Sequence, residues 1–193
     1  MKFVTFVKKN PDFPFPVKHK VLSSALLAAI LYGCESWFVN NVMDVNKLYI
    51  SSIKTLLGVR QTTSNDVCLL ELGYPHLKYW IKQKQVDFLR KAINLRQGIG
   101  EDPLSFTINL CTNARTPAGR YITDLLNHDN YFLYGVQIVK DNVRNSTRSK
   151  LMAYRSMNPK LSVHNVYTQL RPVIPEFQRI YFTRLRVISH EVL

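Results

Sequence analysis

The chain reads as an all-α protein with no substantial sheet. Three observations predict this: apolar residues recur at spacings of three and four, residues that start and stop helices punctuate those stretches, and no run alternates as a paired strand would. The stop signals are Gly58 and Gly73, each placed just after an apolar run. The start signals are Asp102 before Pro103 and Thr116 before Pro117, in each case a cap followed by proline at the first helical position.

The segment "NPDFPFPVKHK" (10–20) holds Pro11, Pro14 and Pro16, so residues 1–16 are expected to form an extended lead-in with Pro16 close to a helix start. From Val17 to Glu35 the pattern is helical, and Gly33 lies inside it, where it would permit close packing. "VNN" (39–41) offers an asparagine cap to a second helix carrying Val42, Val45, Leu48, Ile53, Leu56 and Leu57. "TTSND" (62–66) opens a short helix through Val67, Leu69 and Leu70 to Leu72. Pro75 opens the next, His76 to Gln97, with Leu77, Ile81, Phe88, Ala92 and Leu95 on its core face and Lys78, Lys82, Gln85 and Lys91 at the surface. Two short helices follow from the Asp-Pro and Thr-Pro pairs. The remainder predicts helices near 129–142, 146–157, 162–170 and 175–189. Glycine and acidic residues gather at Gly98–Asp102, which divides the chain into two expected helical lobes, 17–98 and 101–193.

Charge narrows the function. The 193 residues carry 26 Lys plus Arg against 13 Asp plus Glu, a formal net charge of +13, as expected of a protein with a polyanionic partner. Nucleic acid leads, ahead of an anionic membrane. The excess sits at the ends: residues 1–64 hold 8 basic against 3 acidic groups, 65–130 hold 8 against 7, and 131–193 hold 10 against 3. Three widely spaced cysteines, Cys34, Cys68 and Cys111, read as small buried hydrophobes and suit a reducing compartment, nucleus or cytoplasm. Met1–Lys9 lacks the apolar core of a secretory leader, and the longest apolar run, Val21–Cys34, is short for a membrane span. No membrane association is expected.

Catalytic constellations are missing from the pattern. His19, His76, His128, His164 and His190 show no paired metal spacing, so no metal or other cofactor is expected. There is no phosphate-binding glycine loop, no dinucleotide fingerprint, no serine nucleophile elbow and no local aspartate pair for two-metal phosphoryl transfer. An autonomous enzyme is not expected. In "GCESW", Glu35 stands beside Cys34 and Trp37 without a local base to orient it. The favoured reading is structural: Gly33 allows a close crossing, Trp37 packs at the end of the lobe, and Glu35 caps or salt-bridges a neighbouring segment.

The strongest candidate surface is "EFQRIYFTRLRVISH" (176–190). Arg179, Thr183 and Arg186 share a face, Arg184 is displaced from it, and Tyr181 or Phe182 is placed to stack on a base. A solvated basic face is an equally ordinary reading, and the charge excess of the last third tips the balance toward phosphate binding. Lys78 and Lys82, four residues apart, form a second basic surface for which a solvated face is favoured.

The order "ILYGCESW", "LLGVR", "ELGYPHL", "QKQVDFLRK", "DPL" resembles the region that follows the catalytic palm in reverse transcriptases of non-LTR (LINE-type) retrotransposons. The later "YRSMNP" and "TRLRVISH" are similar to blocks preceding that family's cysteine-histidine motif. Gly33, Glu35 and Trp37, followed by Glu71 and Gly73, are the most distinctive in order and spacing. The resemblance covers nearly the whole chain and implies a thumb followed by a helical linker. The family's Tyr-X-Asp-Asp turn and metal-binding aspartates are not among these residues, so its polymerase chemistry carries over to none of them. What it implies is a surface that holds RNA or DNA, template and product, without sequence preference; docking to a separate palm-containing chain belongs to the rival reading. The rival is a helical protein-interaction module with an incidental basic surface.

Overall fold

The computed structural model describes residues 2–36, 42–95, 115–168 and 175–187. Among them the structure is all-α and no strand occurs. The helices are α1 (Lys2–Lys9), α2 (Phe15–Val21), α3 (Ala28–Ile30), α4 (Met43–Leu57), α5 (Asn65–Leu72), α6 (Leu77–Leu95), α7 (Pro117–Leu126), α8 (Tyr131–Asn145), α9 (Ser149–Met157), α10 (Asn165–Thr168) and α11 (Glu176–Arg186). A π-helical stretch, Leu22–Leu27, joins α2 to α3, and a 3-10 turn covers Cys34–Ser36.

Local capping chemistry accounts for several boundaries. Thr116 accepts the backbone N–H of Gly119 at 2.9 Å ahead of Pro117, and Asn130 accepts that of Leu133 at 2.9 Å to open α8. Gly58 and Gly73 end α4 and α5 in the left-handed conformation, as their positions after apolar runs predict.

Several expectations are corrected. Residues 1–16 are not simply extended, because Lys2–Lys9 is helical and buries Phe3 and Val7 in the main core, while the next helix begins at Phe15. Phe3 and Val7 lie four apart on one helix face, a pattern that the prolines downstream do not disturb. Gly33 does not lie within a helix. Its φ of +66 ends the turn after α3, and an added Cβ would meet nothing within 4 Å, so it serves backbone reversal rather than a close crossing. α4 is flanked by Val42, which has no side-chain acceptor for a cap; the proposed asparagines, with Trp37, Gly98, Asp102, Cys111 and His190, lie outside the described residues. On α6, Phe88 is 50% exposed while Gln85 is buried, reversing the expected assignment. Gln85 is stable there because it donates to the Cys34 carbonyl at 3.2 Å and accepts the Tyr121 hydroxyl at 2.7 Å.

The expected boundary at 98–101 does not separate two cores. One apolar cluster runs from Phe3 through Leu57, Leu70 and Ile81 to Val139, Leu151 and Val187, and a smaller one joins Tyr79 and Val86 to Leu125 and Tyr131. α8 packs on both α5 and α6, so the later helices complete the surface that the earlier ones leave open. Burial of apolar area is the main favourable term in such a fold, and it spans the predicted division.

Candidate nucleic-acid interface

Arg179, Thr183 and Arg186 share one face of α11, as the spacing predicts, but that face points inward. Glu176, in the first turn of α11, receives Arg179 Nε at 2.8 Å and Nη2 at 2.8 Å and also binds Lys18 Nζ at 3.1 Å. Arg179 Nη2 reaches the Leu56 carbonyl at 3.3 Å, and its guanidinium lies 4.6 Å from the centroid of the Phe15 ring. Its Nη1 finds no acceptor. Arg186 donates Nε to both oxygens of Glu71 at 3.1 Å and Nη2 to Oε1 at 3.0 Å. Glu71 has no exposed surface and also accepts the Tyr154 hydroxyl at 2.7 Å. Arg179 and Arg186 anchor α11 to the core and are not placed to contact phosphates. Arg184 alone of the three points outward, and its Nε donates to the Gly58 carbonyl at 2.7 Å.

Three of the sequence blocks quoted above meet at this buried network. Glu71 comes from "ELGYPHL", Tyr154 and Asn158 from "YRSMNP", and Thr183 and Arg186 from "TRLRVISH". Asn158 donates to the Tyr154 hydroxyl at 3.0 Å, and Thr183 shares a 2.7 Å hydrogen bond with Tyr167. Burial and the adjacent Glu71 raise the phenol pKa of Tyr154 and Tyr167 far above the ordinary value, so both stay neutral donors. Burial alone would lower the pKa of Arg186, yet its bonds to Glu71 raise it on balance. His164, packed 4.8 Å from Phe182, is lowered by burial and by Arg186. Such a set of paired and neutral groups fixes helices to one another.

Gly73 leaves room for Val163, whose Cγ2 would stand 2.8 Å from an added Cβ. Glu35 is exposed, at the rim of a small apolar hollow lined by Phe88, Tyr121 and Ile122. Cys34 and Cys68 are free and fully buried; desolvation pushes their thiols up to about 11 and about 12, and they stay protonated at neutral pH. Lys82 ties α6 to its neighbours, with Asp124 at 3.6 Å and the Tyr131 ring centroid at 5.1 Å, whereas Lys78 is exposed over the Tyr79 ring.

A basic surface that was not singled out in the sequence lies on the hairpin of α8 and α9. Residues 140–160 carry Lys140, Arg144, Arg148, Lys150, Arg155 and Lys160 against one acid, Asp141. Arg155 donates Nη1 to the Arg144 carbonyl, capping the end of α8 and fixing the hairpin, and Arg144 pairs with Asp141 at 3.0 Å. Arg148, Lys150 and Lys160 are exposed. In the sequence this surface is a charge run, less regular in spacing than the arginines of α11. Among the described residues no three His, Cys, Asp or Glu side chains are grouped to hold a metal ion, and no helix is long and apolar enough to cross a membrane.

No family model, curated protein or solved structure matches the chain.

Proposed function

We propose that this chain is a non-catalytic, sequence-independent nucleic-acid-binding segment of a non-LTR retrotransposon-type reverse transcriptase, corresponding to the thumb and the helical linker beyond it. The observation that carries the binding is the α8–α9 hairpin, where six basic residues stand against one acid and Arg148, Lys150 and Lys160 are exposed. Charges placed this way neutralise phosphates and release counterions regardless of base sequence. The resemblance is supported by the meeting of three of its separate blocks around Glu71, which gives those three a packing role.

The test is fluorescence anisotropy of a labelled RNA strand and of DNA with the same base order, across a salt series. Affinity should fall steeply with salt and be similar for scrambled sequences. Arg148→Ala and Lys150→Ala should each lower the salt slope by about one unit, the signature of one lost phosphate contact. Unchanged affinity and slope in the double variant would remove the hairpin from the interface. No nucleotide incorporation is expected with any primer, template and divalent metal, since the residues that resemble the family's belong outside its palm.

A further inference from the structure

The outer face of α11 remains uncovered by the described residues. Phe177 is 70% exposed, Tyr181 67% and Leu185 41%, an apolar stripe at four-residue spacing on a helix whose opposite face carries the ion-paired Arg179 and Arg186 and the buried Thr183. Isolated exposed apolar side chains are ordinary, but two aromatic rings and a leucine in one row are not scattered. The polar groups beside them are Gln178 and Arg184. The only carboxylate on the helix, Glu176, is held by Lys18 and Arg179 and turned from this face.

From this arrangement we infer that the outer face of α11 is a stacking platform for an unpaired nucleic-acid strand. The inference deepens the nucleic-acid-binding reading and rests on it. Charge complementarity selects the occupant: a chain of net charge +13 attracts a polyanion, and the described residues of this face present no free carboxylate. Aromatic rings add what phosphates cannot engage, a π-surface for bases. In a duplex both faces of every base are covered by neighbours, so only an unpaired strand can present them. Spacing agrees, because residues four apart on a helix rise about 6 Å. That exceeds the stacked repeat of about 3.4 Å, so the rings accept two bases splayed apart rather than a stacked step. Phe177 and Tyr181 take the bases, and Gln178 meets a base edge. The α8–α9 hairpin supplies the general electrostatic attraction, and α11 supplies the preference for single strands.

The experiment uses the full chain, an oligouridylate strand and an RNA duplex of equal length, both labelled, with affinity measured at low and physiological salt. Phe177→Ser/Tyr181→Ser should weaken oligouridylate binding about tenfold or more while leaving duplex affinity within about twofold and the salt slope unchanged. Phe177→Trp/Tyr181→Trp should keep single-strand affinity, and both variants should melt with the parent because the substituted side chains are exposed. Arg148→Ala/Lys150→Ala should weaken both probes together. If the parent binds both probes and the serine variant loses neither, or loses both equally, the platform is wrong while the binding reading stands. If the parent binds neither probe, both fall. A change in sedimentation mass of the serine variant without a change in oligouridylate affinity would assign the stripe to a second copy of the chain and overturn the inference.

Discussion

Glu71 is fully buried and bonded by both Tyr154 and Arg186, so its removal leaves a guanidinium and a phenol without their acceptor. Breaking a buried pair from one side costs about 3–5 kcal/mol, whereas replacing both members by apolar residues often costs far less. Glu71→Ala and Arg186→Ala should each lower the unfolding free energy in urea by about that amount, and Glu71→Leu/Arg186→Leu should lose less than either single change. Single losses below about 1 kcal/mol would show that the network is not under this constraint. A second residue-scale prediction concerns acid. Burial lowers the pKa of His19 from 6.5, where the ring stacks on Phe15 and shares a 2.8 Å hydrogen bond with the Tyr74 hydroxyl. The folded ring is held neutral, so below pH 6.5 the unfolded chain takes up protons that the folded chain refuses, and stability present above 6.5 is lost as pH falls through it. The melting temperature should drop on acidification below that value, and His19→Gln should flatten the drop. An unchanged pH profile in that variant would place the acid sensitivity elsewhere.

Helices opened by local chemistry were legible from sequence alone. The Thr116-Pro117 cap and the glycines after α4 and α5 work within a few residues, so composition at the boundary suffices. Orientation was less legible. The face of α11 that carries Arg179, Thr183 and Arg186 was recognised as a unit, but its direction is set by Glu71, 115 positions from Arg186, and no local pattern encodes that partner. The i,i+3 pair Glu176–Arg179 was the one nearby hint. Helix crossings are similarly nonlocal. Gly135 lets α8 approach α6, since a Cβ there would stand 2.5 Å from the Tyr79 ring and 2.7 Å from Pro75. Both neighbours are rigid, so Gly135→Ala should destabilise the protein by about 1–3 kcal/mol despite alanine's better helix propensity. A gain in stability, read from the denaturant midpoint, would mean that the crossing yields easily.

On the scale of the whole molecule, the sequence indicated a division that the packing does not honour. Glycines and acids at 98–102 look like a linker, yet residues from both sides share the main apolar cluster, and α8 bridges α5 and α6. Composition marks a loop; only contacts between distant segments decide whether a loop separates cores. Unfolding followed by circular dichroism and by tryptophan fluorescence should therefore give coincident, single transitions, and two resolved transitions would restore the two-lobe division. The Glu71–Arg186 pair also orders events during synthesis. The carboxylate leaves the ribosome more than a hundred residues before its guanidinium does, so the nascent chain must keep a charged group solvated and its apolar neighbours unclosed until α11 emerges. Closing so long a loop is entropically slow, and the interval leaves the unfinished core open to chaperones and to aggregation.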